Sequence, residues 1–210
     1  MKIINASYQI LTAIVGIEML KSIERAGRTC YKSEDKISEA SAPNFIKMLI
    51  SKGHESVLEH QTISVLFVCD RGVSHEIVRH RLASFSQEST RYCNYSSDKF
   101  NEGITFILPC WIIDDPKNEE NKSWFARMSY AESSYEIMME KYGWTPQQAR
   151  CILPNSLKTE IVVTANLREW RTIFKQRTSK AAHPQMRELM CPLLDDLKIL
   201  IPTVFDDINY

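Results

Sequence analysis

Apolar residues recur at helical and strand spacings along the chain, and these patterns predict a mixed α and β protein. Helices are predicted over 14–26, 41–53, 74–84, 124–142, 145–153 and 167–177, and from Pro184 onward. Strands are predicted over 62–70, 104–108 and 157–166, which are rich in β-branched and aromatic residues. Two or three strands cannot close a sheet by themselves. We therefore expect an α+β fold, with a small, mostly antiparallel sheet packed by helices, plus a helical segment, in a single domain spanning 1–210.

The stripe of large apolar side chains over 124–142 is the strongest helical signal. Trp124, Met128, Tyr135 and Met138 recur at steps of three, four and seven residues. A stripe of methionine and aromatic side chains at this spacing is typical of core packing, not of a cofactor site. Thr145, followed by Pro-Gln-Gln, predicts a capping box for the next helix.

Composition narrows the class of protein. Lys plus Arg and Asp plus Glu total 26 each, and this neutral balance argues against a nucleic-acid partner but permits small anionic ligands. The six cysteines form no CxxC pair, so we expect no bound metal. No apolar run approaches the ~20 residues that span a bilayer, so we expect no membrane association. We expect a cytoplasmic protein with reduced thiols.

The six glycines are isolated along the chain. The sequence therefore contains neither the GxGxxG fingerprint nor a P-loop, and no GxSxG elbow is present. A dinucleotide would have to be bound by side chains.

The densest group of ligand-type side chains begins with Arg79-His80-Arg81 and continues through a Ser-rich stretch to Arg91. Arginine forks bind phosphate oxygens, and hydroxyl groups complete such sites. A solvated helix face would explain three arginines equally well in a generic sequence. Here few acidic partners accompany them, and the three consecutive residues would point in different directions around a helix.

Two further groups contain similar chemistry. The segment 53–60 (GHESVLEH) holds two histidines, but His54 and His60 are wrongly spaced for a helical metal pair, and a loop that delivers side chains to a ligand fits better. The segment 166–177 contains Arg168, Arg171 and Arg177. Capping or a surface ion pair is an equally good explanation for any one of these arginines, and for Arg150.

Arg79-His80-Arg81, seven further residues and then Ser89 resemble the RHR-x7-S signature of the flavin-dependent thymidylate synthases. Four other elements resemble that family in the same order: GHESVLEH at 53–60, ARCILP at 149–154, Asn166-Leu167-Arg168 and the following Arg177. The resemblance runs from about Arg28 to Arg187.

The resemblance implies conversion of dUMP to dTMP. Methylenetetrahydrofolate would donate the one-carbon unit, and FAD reduced by NADPH would provide the hydride, with no enzyme nucleophile. It also implies a homotetramer whose active sites are shared between subunits.

The resemblance further assigns roles to individual residues. FAD would be bound by Ser56, Arg79, His80, Arg81, Asn166, Leu167, Arg168 and Thr172, with His54 near the flavin ring. The dUMP site would be formed by Glu76, Arg79, Gln87, Glu88, Ser89, Thr90, Arg91, Arg150 and Arg177. Arg177 would be the catalytic residue, because a cation at the uracil ring favours ionisation at N3 and stabilises enolate-like charge.

Some positions depart from the family pattern or allow another role. The family frequently has other residues at the positions of Glu76, Ser86-Gln87, Cys30 and Ala182-His183. We expect these differences to change individual contacts and not the reaction. Ser89 could be a nucleophile, but an unassisted serine needs an adjacent base, so we expect a hydrogen bond to the ligand. Cys93 is expected to be an ordinary packed thiol.

Two other functions compete with this prediction. A non-catalytic flavin or nucleotide-binding protein would keep the pocket, but it would have less need of Arg177 at the ring. An RNA-binding module would use the arginine clusters, but the neutral charge and the lack of an aromatic RNA-binding motif count against it.

Overall fold

The described part of the chain is residues 1–91, 103–112 and 118–210 of a computed structural model. Its strands are β1 (Lys2–Ile4), β2 (Ser7–Ile10), β3 (Thr62–Asp70), β4 (Ala83–Gln87), β5 (Thr105–Ile107) and β6 (Lys158–Asn166). Its helices are α1 (Gly16–Tyr31), α2 (Ser41–Ser51), α3 (Arg71–Ile77), α4 (Glu119–Glu140), α5 (Pro146–Ala149), α6 (Leu167–Arg177), α7 (Pro184–Leu200) and α8 (Pro202–Phe205). Short 3₁₀ turns cover Glu34–Lys36, Glu55–His60 and Arg150–Ile152. The predicted α+β class is confirmed.

A four-stranded, mostly antiparallel sheet has the order β2-β3-β6-β4, and β1 pairs in parallel with β5. Along β3, every second side chain from Ile63 to Cys69 is buried, and along β6 the same holds from Thr159 to Ala165. This period of two follows from the pleat of a strand. Each nine-residue strand runs directly into a helix, whose first turn is capped by Asp70 in α3 and by Asn166 in α6.

The helix predicted over 74–84 is wrong beyond Ile77. There α3 ends, Leu82 takes a left-handed backbone conformation with φ of 63°, and 83–87 forms the edge strand β4. An antiparallel strand can keep one face in solvent, and Ser84 and Ser86 are exposed on β4. The short strands β1 and β2 were not predicted, because three or four residues give no readable period.

One compact unit comprises Met1–Ser7, Phe67–Arg79 and Ser86–Ile161. Its core contains Ile104, Phe106, Leu157 and the α4 side chains Met128 and Tyr135. The predicted packing role of the α4 stripe is therefore confirmed. The capping box at Thr145 is also present, with the Gln148 side chain accepting from the backbone N–H of Thr145 at 2.9 Å.

The second compact unit comprises Tyr8–Leu66, His80–Phe85 and Val162–Tyr210. In its core, Trp170 stacks on Phe174, which meets Phe205 edge to face. The indole N–H of Trp170 donates to the carbonyl of Ile63 at 3.0 Å. These contacts hold α6 and the C-terminal residues in place. Within the described ranges, none of the helices combines the length and the apolar character that crossing a bilayer requires.

Candidate functional site

A first cavity, the His54 cavity, has a volume of about 320 Å³. It is lined by Gly27, Cys30, Tyr31, Leu49, Gly53, His54, Glu55, Ser56, Val57 and Arg168. Three residues predicted to contact FAD, His54, Ser56 and Arg168, thus share one cavity although they come from distant parts of the chain. Its lining combines a cation, hydroxyl groups and an imidazole with apolar side chains.

The end of α2 explains how the loop side chains reach this cavity. Gly53 takes a positive φ of 73°, which reverses the chain after α2 and begins the 3₁₀ turn Glu55–His60. The side chains of His54 and Ser56 are exposed as a result, while Val57 and Leu58 are buried beneath them. The hydroxyl of Tyr31 lies 3.3 Å from Nδ1 of His54.

The start of α6 supplies the cationic side of the cavity. Arg168 is exposed, and its Nη1 lies 2.6 Å from Oε1 of Glu59. The side-chain oxygen of Asn166 caps α6 by accepting from the N–H of Glu169 at 2.8 Å. Leu167 is wholly buried, and the hydroxyl of exposed Thr172 donates to the carbonyl of Arg168 at 3.3 Å.

A second cavity, the Arg150 cavity, has a volume of about 400 Å³. It is lined by Arg71, His75, Thr90, Gln147, Arg150, Cys151, Leu153, Pro154, Asn155 and Leu157. Thr90 and Arg150 were predicted to bind dUMP, and Nη1 of Arg150 donates to the Thr90 hydroxyl at 3.2 Å. Arg71 and His75 were not predicted as site residues. Their position on α3, shortly before the RHR motif, was the feature of the sequence that pointed to them.

Several predicted nucleotide-binding residues contact protein partners. The Gln87 amide donates to the hydroxyls of Ser74 at 2.9 Å and Thr159 at 3.2 Å. Oε2 of Glu88 lies 3.2 Å from Nζ of Lys158. These contacts hold β4 beside β6 and fix the direction in which the following residues leave the sheet.

The next residues along the chain, Ser89 and Arg91, also interact. The hydroxyl of Ser89 accepts from the backbone N–H of Arg91 at 3.3 Å, and the Arg91 side chain is exposed. Cys93 lies outside the described residues.

The residues of the RHR motif are not equivalent. Arg79 and Arg81 are exposed, whereas His80 is buried. Arg79 lies two residues after the end of α3, and its backbone N–H donates to the carbonyl of Glu76 at 3.3 Å, while the Glu76 side chain is half-buried. The motif therefore lies in the turn between α3 and β4. The two arginines project to solvent because they are not part of one helical face.

His80 and Arg177 are in direct contact. Nε of Arg177 lies 2.9 Å from Nε2 of His80, whose Nδ1 lies 3.8 Å from Oε1 of Glu169. Burial and the positive charge of Arg177 lower the pKa of His80 to about 4. The imidazole is therefore neutral near pH 7 and acts as a hydrogen-bond acceptor for the guanidinium.

Arg171 belongs to the interior. Its side chain is 1% exposed and forms ion pairs with Asp207 and Glu55. The sequence left two explanations open for this arginine, capping or a surface ion pair. The structure shows ion pairs, and their guanidinium group is buried. Elsewhere in the described ranges, no three His, Cys, Asp or Glu side chains lie together as metal ligands would.

Comparison with known proteins adds to this geometry. The family model described as "Thymidylate synthase complementing protein" matches residues 17–203. The flavin-dependent thymidylate synthase of Mycobacterium avium is 33% identical over 202 residues, which cover 88% of this chain and 78% of the relative. The enzyme of that description from Pyrococcus furiosus is 34% identical over 172 residues, which cover 81% of this chain and 68% of the relative.

A solved structure shares the fold. The crystal structure of the UMP/dUMP methylase PolB from Streptomyces cacaoi, bound with 5-Br dUMP, matches with a TM-score of 0.79. The match covers 98% of this chain and 96% of that chain at 18% sequence identity. At that identity the likeness establishes a common fold.

Proposed function

The chain belongs to the family of thymidylate synthase complementing proteins, and from this premise we propose that it is a flavin-dependent thymidylate synthase. It converts dUMP to dTMP, with methylenetetrahydrofolate as the one-carbon donor and NADPH-reduced FAD as the source of hydride. One observation supports this reaction best. Arg150 and Thr90, sixty residues apart, form a hydrogen bond at a cavity that also contains Arg71 and His75.

The Arg150 cavity has the chemistry of a nucleotide phosphate site. Two guanidinium groups and a hydroxyl group provide charge-assisted donors for phosphate oxygens. Nη1 of Arg71 is oriented by the carbonyl of Glu88 at 3.3 Å and the hydroxyl of Thr159 at 3.0 Å. We assign the dUMP phosphate to this cavity, and the 5-Br dUMP bound by the structural neighbour supports a nucleotide ligand for the fold.

The His54 cavity fits part of FAD. Arg168 provides a cation for the pyrophosphate, and Ser56 provides a hydroxyl group in the same cavity. Asn166, which caps α6 two residues before Arg168, is assigned to the same ligand. Arg168 reaches the pyrophosphate by leaving Glu59, because an ion pair between exposed side chains is weak. His54 and Tyr31 provide ring surfaces for the flavin. When bound, FAD supplies the hydride chemistry, while the protein orients the reacting rings.

Arg177 is the residue to which we assign electrostatic catalysis. Its guanidinium stabilises negative charge that develops on the uracil ring, and so makes C5 more nucleophilic. A preoriented cation is more effective than a mobile one, because no reorganisation is needed during the reaction. The hydrogen bond to His80 provides this orientation.

We further propose a cytoplasmic homotetramer whose subunits share each active site, with no nucleic-acid partner. A cavity of about 320 Å³ lies at the small end of ligand cavities, so we assign only part of the dinucleotide to it. Side chains that the single chain leaves exposed beside the RHR motif, including Arg81 and the 79% exposed Leu82, are available for contacts with another copy or its cofactor. These features are expected if neighbouring subunits complete the FAD site.

A spectroscopic assay tests the function directly. The purified protein should be yellow, NADPH should bleach the flavin absorbance, and addition of dUMP with methylenetetrahydrofolate should restore it with formation of dTMP. Reactions that omit either substrate serve as controls. A non-catalytic flavin protein would bind FAD without making dTMP. A colourless protein that binds RNA in a salt-dependent manner would contradict the proposal.

A further inference from the structure

Two arginine–glutamate pairs of different depth join α6 to the 3₁₀ turn Glu55–His60. Arg168 pairs with Glu59 where both side chains are exposed to solvent. Arg171 follows one helical turn later, and Nη2 of its buried guanidinium lies 3.2 Å from Oε1 of the half-buried Glu55. An exposed pair is weak, whereas breaking a buried pair leaves an uncompensated charge and is strongly unfavourable. The shallow pair can therefore exchange for a ligand while the deep pair stays in place.

Arg171 also connects the deep pair to the C-terminal residues. Its Nη1 and Nη2 lie 2.6 and 2.7 Å from the two carboxylate oxygens of Asp207, a bidentate arrangement. Nη1 also donates to the carbonyl of Val204. The hydrogen bond from Arg171 holds the pKa of Asp207 below its ordinary value. Val204 and Asp207, which follow α7, thus accept hydrogen bonds from the same guanidinium as Glu55.

Glu55 is the point where this network reaches the His54 cavity. It lines the cavity itself, and its chain neighbours His54 and Ser56 line it on either side. We infer that Arg171 and Asp207 are positioning residues for FAD binding, because together they hold Glu55, and with it the loop that carries His54 and Ser56. This inference rests on the proposed function, since it takes FAD as the ligand of the cavity.

A purely structural role for the network makes a different prediction. In that case, loss of the Asp207 carboxylate would lower the stability of the protein but leave FAD affinity unchanged wherever the protein is folded. A positioning role lowers FAD affinity in the folded protein, because a displaced loop presents its ligand groups in the wrong place.

The test uses Asp207→Asn, which removes one charge and weakens the pairing with Arg171 at a side chain that is 52% exposed and so tolerates the change. Asp206→Asn is the matched control, because it removes the same charge from the adjacent, exposed residue. Asp207→Glu keeps the carboxylate and should retain most of the affinity. FAD affinity is measured from flavin fluorescence, and dUMP affinity at saturating FAD, at a temperature where circular dichroism shows every variant folded.

We expect Asp207→Asn to weaken FAD binding about tenfold, with dUMP affinity and the Asp206→Asn control unchanged. If Asp207→Asn binds FAD like the Asp206→Asn control while the unsubstituted protein is yellow and active, the positioning role is wrong and the proposed function stands. Equal weakening of FAD and dUMP binding also overturns the positioning role. An unsubstituted protein that neither binds FAD nor forms dTMP overturns the proposed function, and this inference with it.

Discussion

Arg177 donates a hydrogen bond from Nε to Nε2 of His80 at 2.9 Å. An arginine is always protonated, so His80 must be the acceptor at this nitrogen. A neutral imidazole then carries its proton on Nδ1, the nitrogen that lies 3.8 Å from Glu169. The hydrogen bond to His80 therefore fixes the direction of the guanidinium that we assign to catalysis.

Arg177→Ala should reduce the rate of dTMP formation at least about 100-fold, because electrostatic stabilisation of the developing charge is lost. FAD should remain bound, and this is checked by absorbance of the purified protein. Lys180→Ala, which removes a cation from an exposed position three residues later, should have near-normal activity. Near-normal turnover by Arg177→Ala would show that Arg177 is not the catalytic residue.

The buried, neutral state of His80 predicts a pH-dependent stability. Its pKa is about 4 in the folded protein and about 6.5 in an unfolded chain. Between these values the unfolded chain binds a proton that the folded protein does not, so the free energy of unfolding falls as the pH is lowered from 6.5 to 4. The stability that His80 contributes by staying neutral in the folded protein is fully present above pH 6.5 and has been lost below pH 4.

The measurement is urea unfolding at a series of pH values for the unsubstituted protein and for His80→Gln. The difference between their free energies of unfolding should change through the window from pH 6.5 to 4 and be constant above it. A constant difference across the whole range would mean that the pKa of His80 is not lowered.

Arg150→Ala should raise the KM for dUMP about tenfold or more, because hydrogen bonds from charged donors contribute about 1.5–3 kcal/mol. FAD affinity should not change. The KM of Arg150→Lys should lie between those of the unsubstituted protein and Arg150→Ala, since lysine keeps the charge but cannot form a bidentate contact. Arg127→Ala, at an exposed position on α4, is the control. An unchanged KM for Arg150→Ala would remove the Arg150 cavity as the phosphate site.

Ser89→Ala should weaken dUMP binding about tenfold while residual activity persists, because it removes one hydrogen bond to the ligand. The Ser89 hydroxyl accepts from the N–H of Arg91, and the nearest carboxylate in sequence, Glu88, contacts Lys158, so neither arrangement activates a nucleophile. Steady-state kinetics beside Ser123→Ala, an exposed serine on α4, provide the comparison. Complete loss of chemistry with dUMP affinity intact would favour the nucleophile interpretation.

Most of the helices, the two long strands and the family could be predicted from the residues alone. These features depend on local periodicity and capping, which can be read in short windows: α6 was predicted with its bounds, and so was the capping box at Thr145. Three of the residues predicted to bind FAD, His54, Ser56 and Arg168, also share a cavity. Their individual ligand contacts remain predictions.

Packing of the folded chain separates the arginines that face a cavity from those that lie inside. Arg168 and Arg171 lie one helical turn apart, yet one lines the His54 cavity and the other is buried between Glu55 and Asp207. Likewise, Arg71 and Arg150 line the same cavity although they are far apart in sequence. Burial and long-range pairing arise from packing of the whole chain, and so no local pattern of residues contains them.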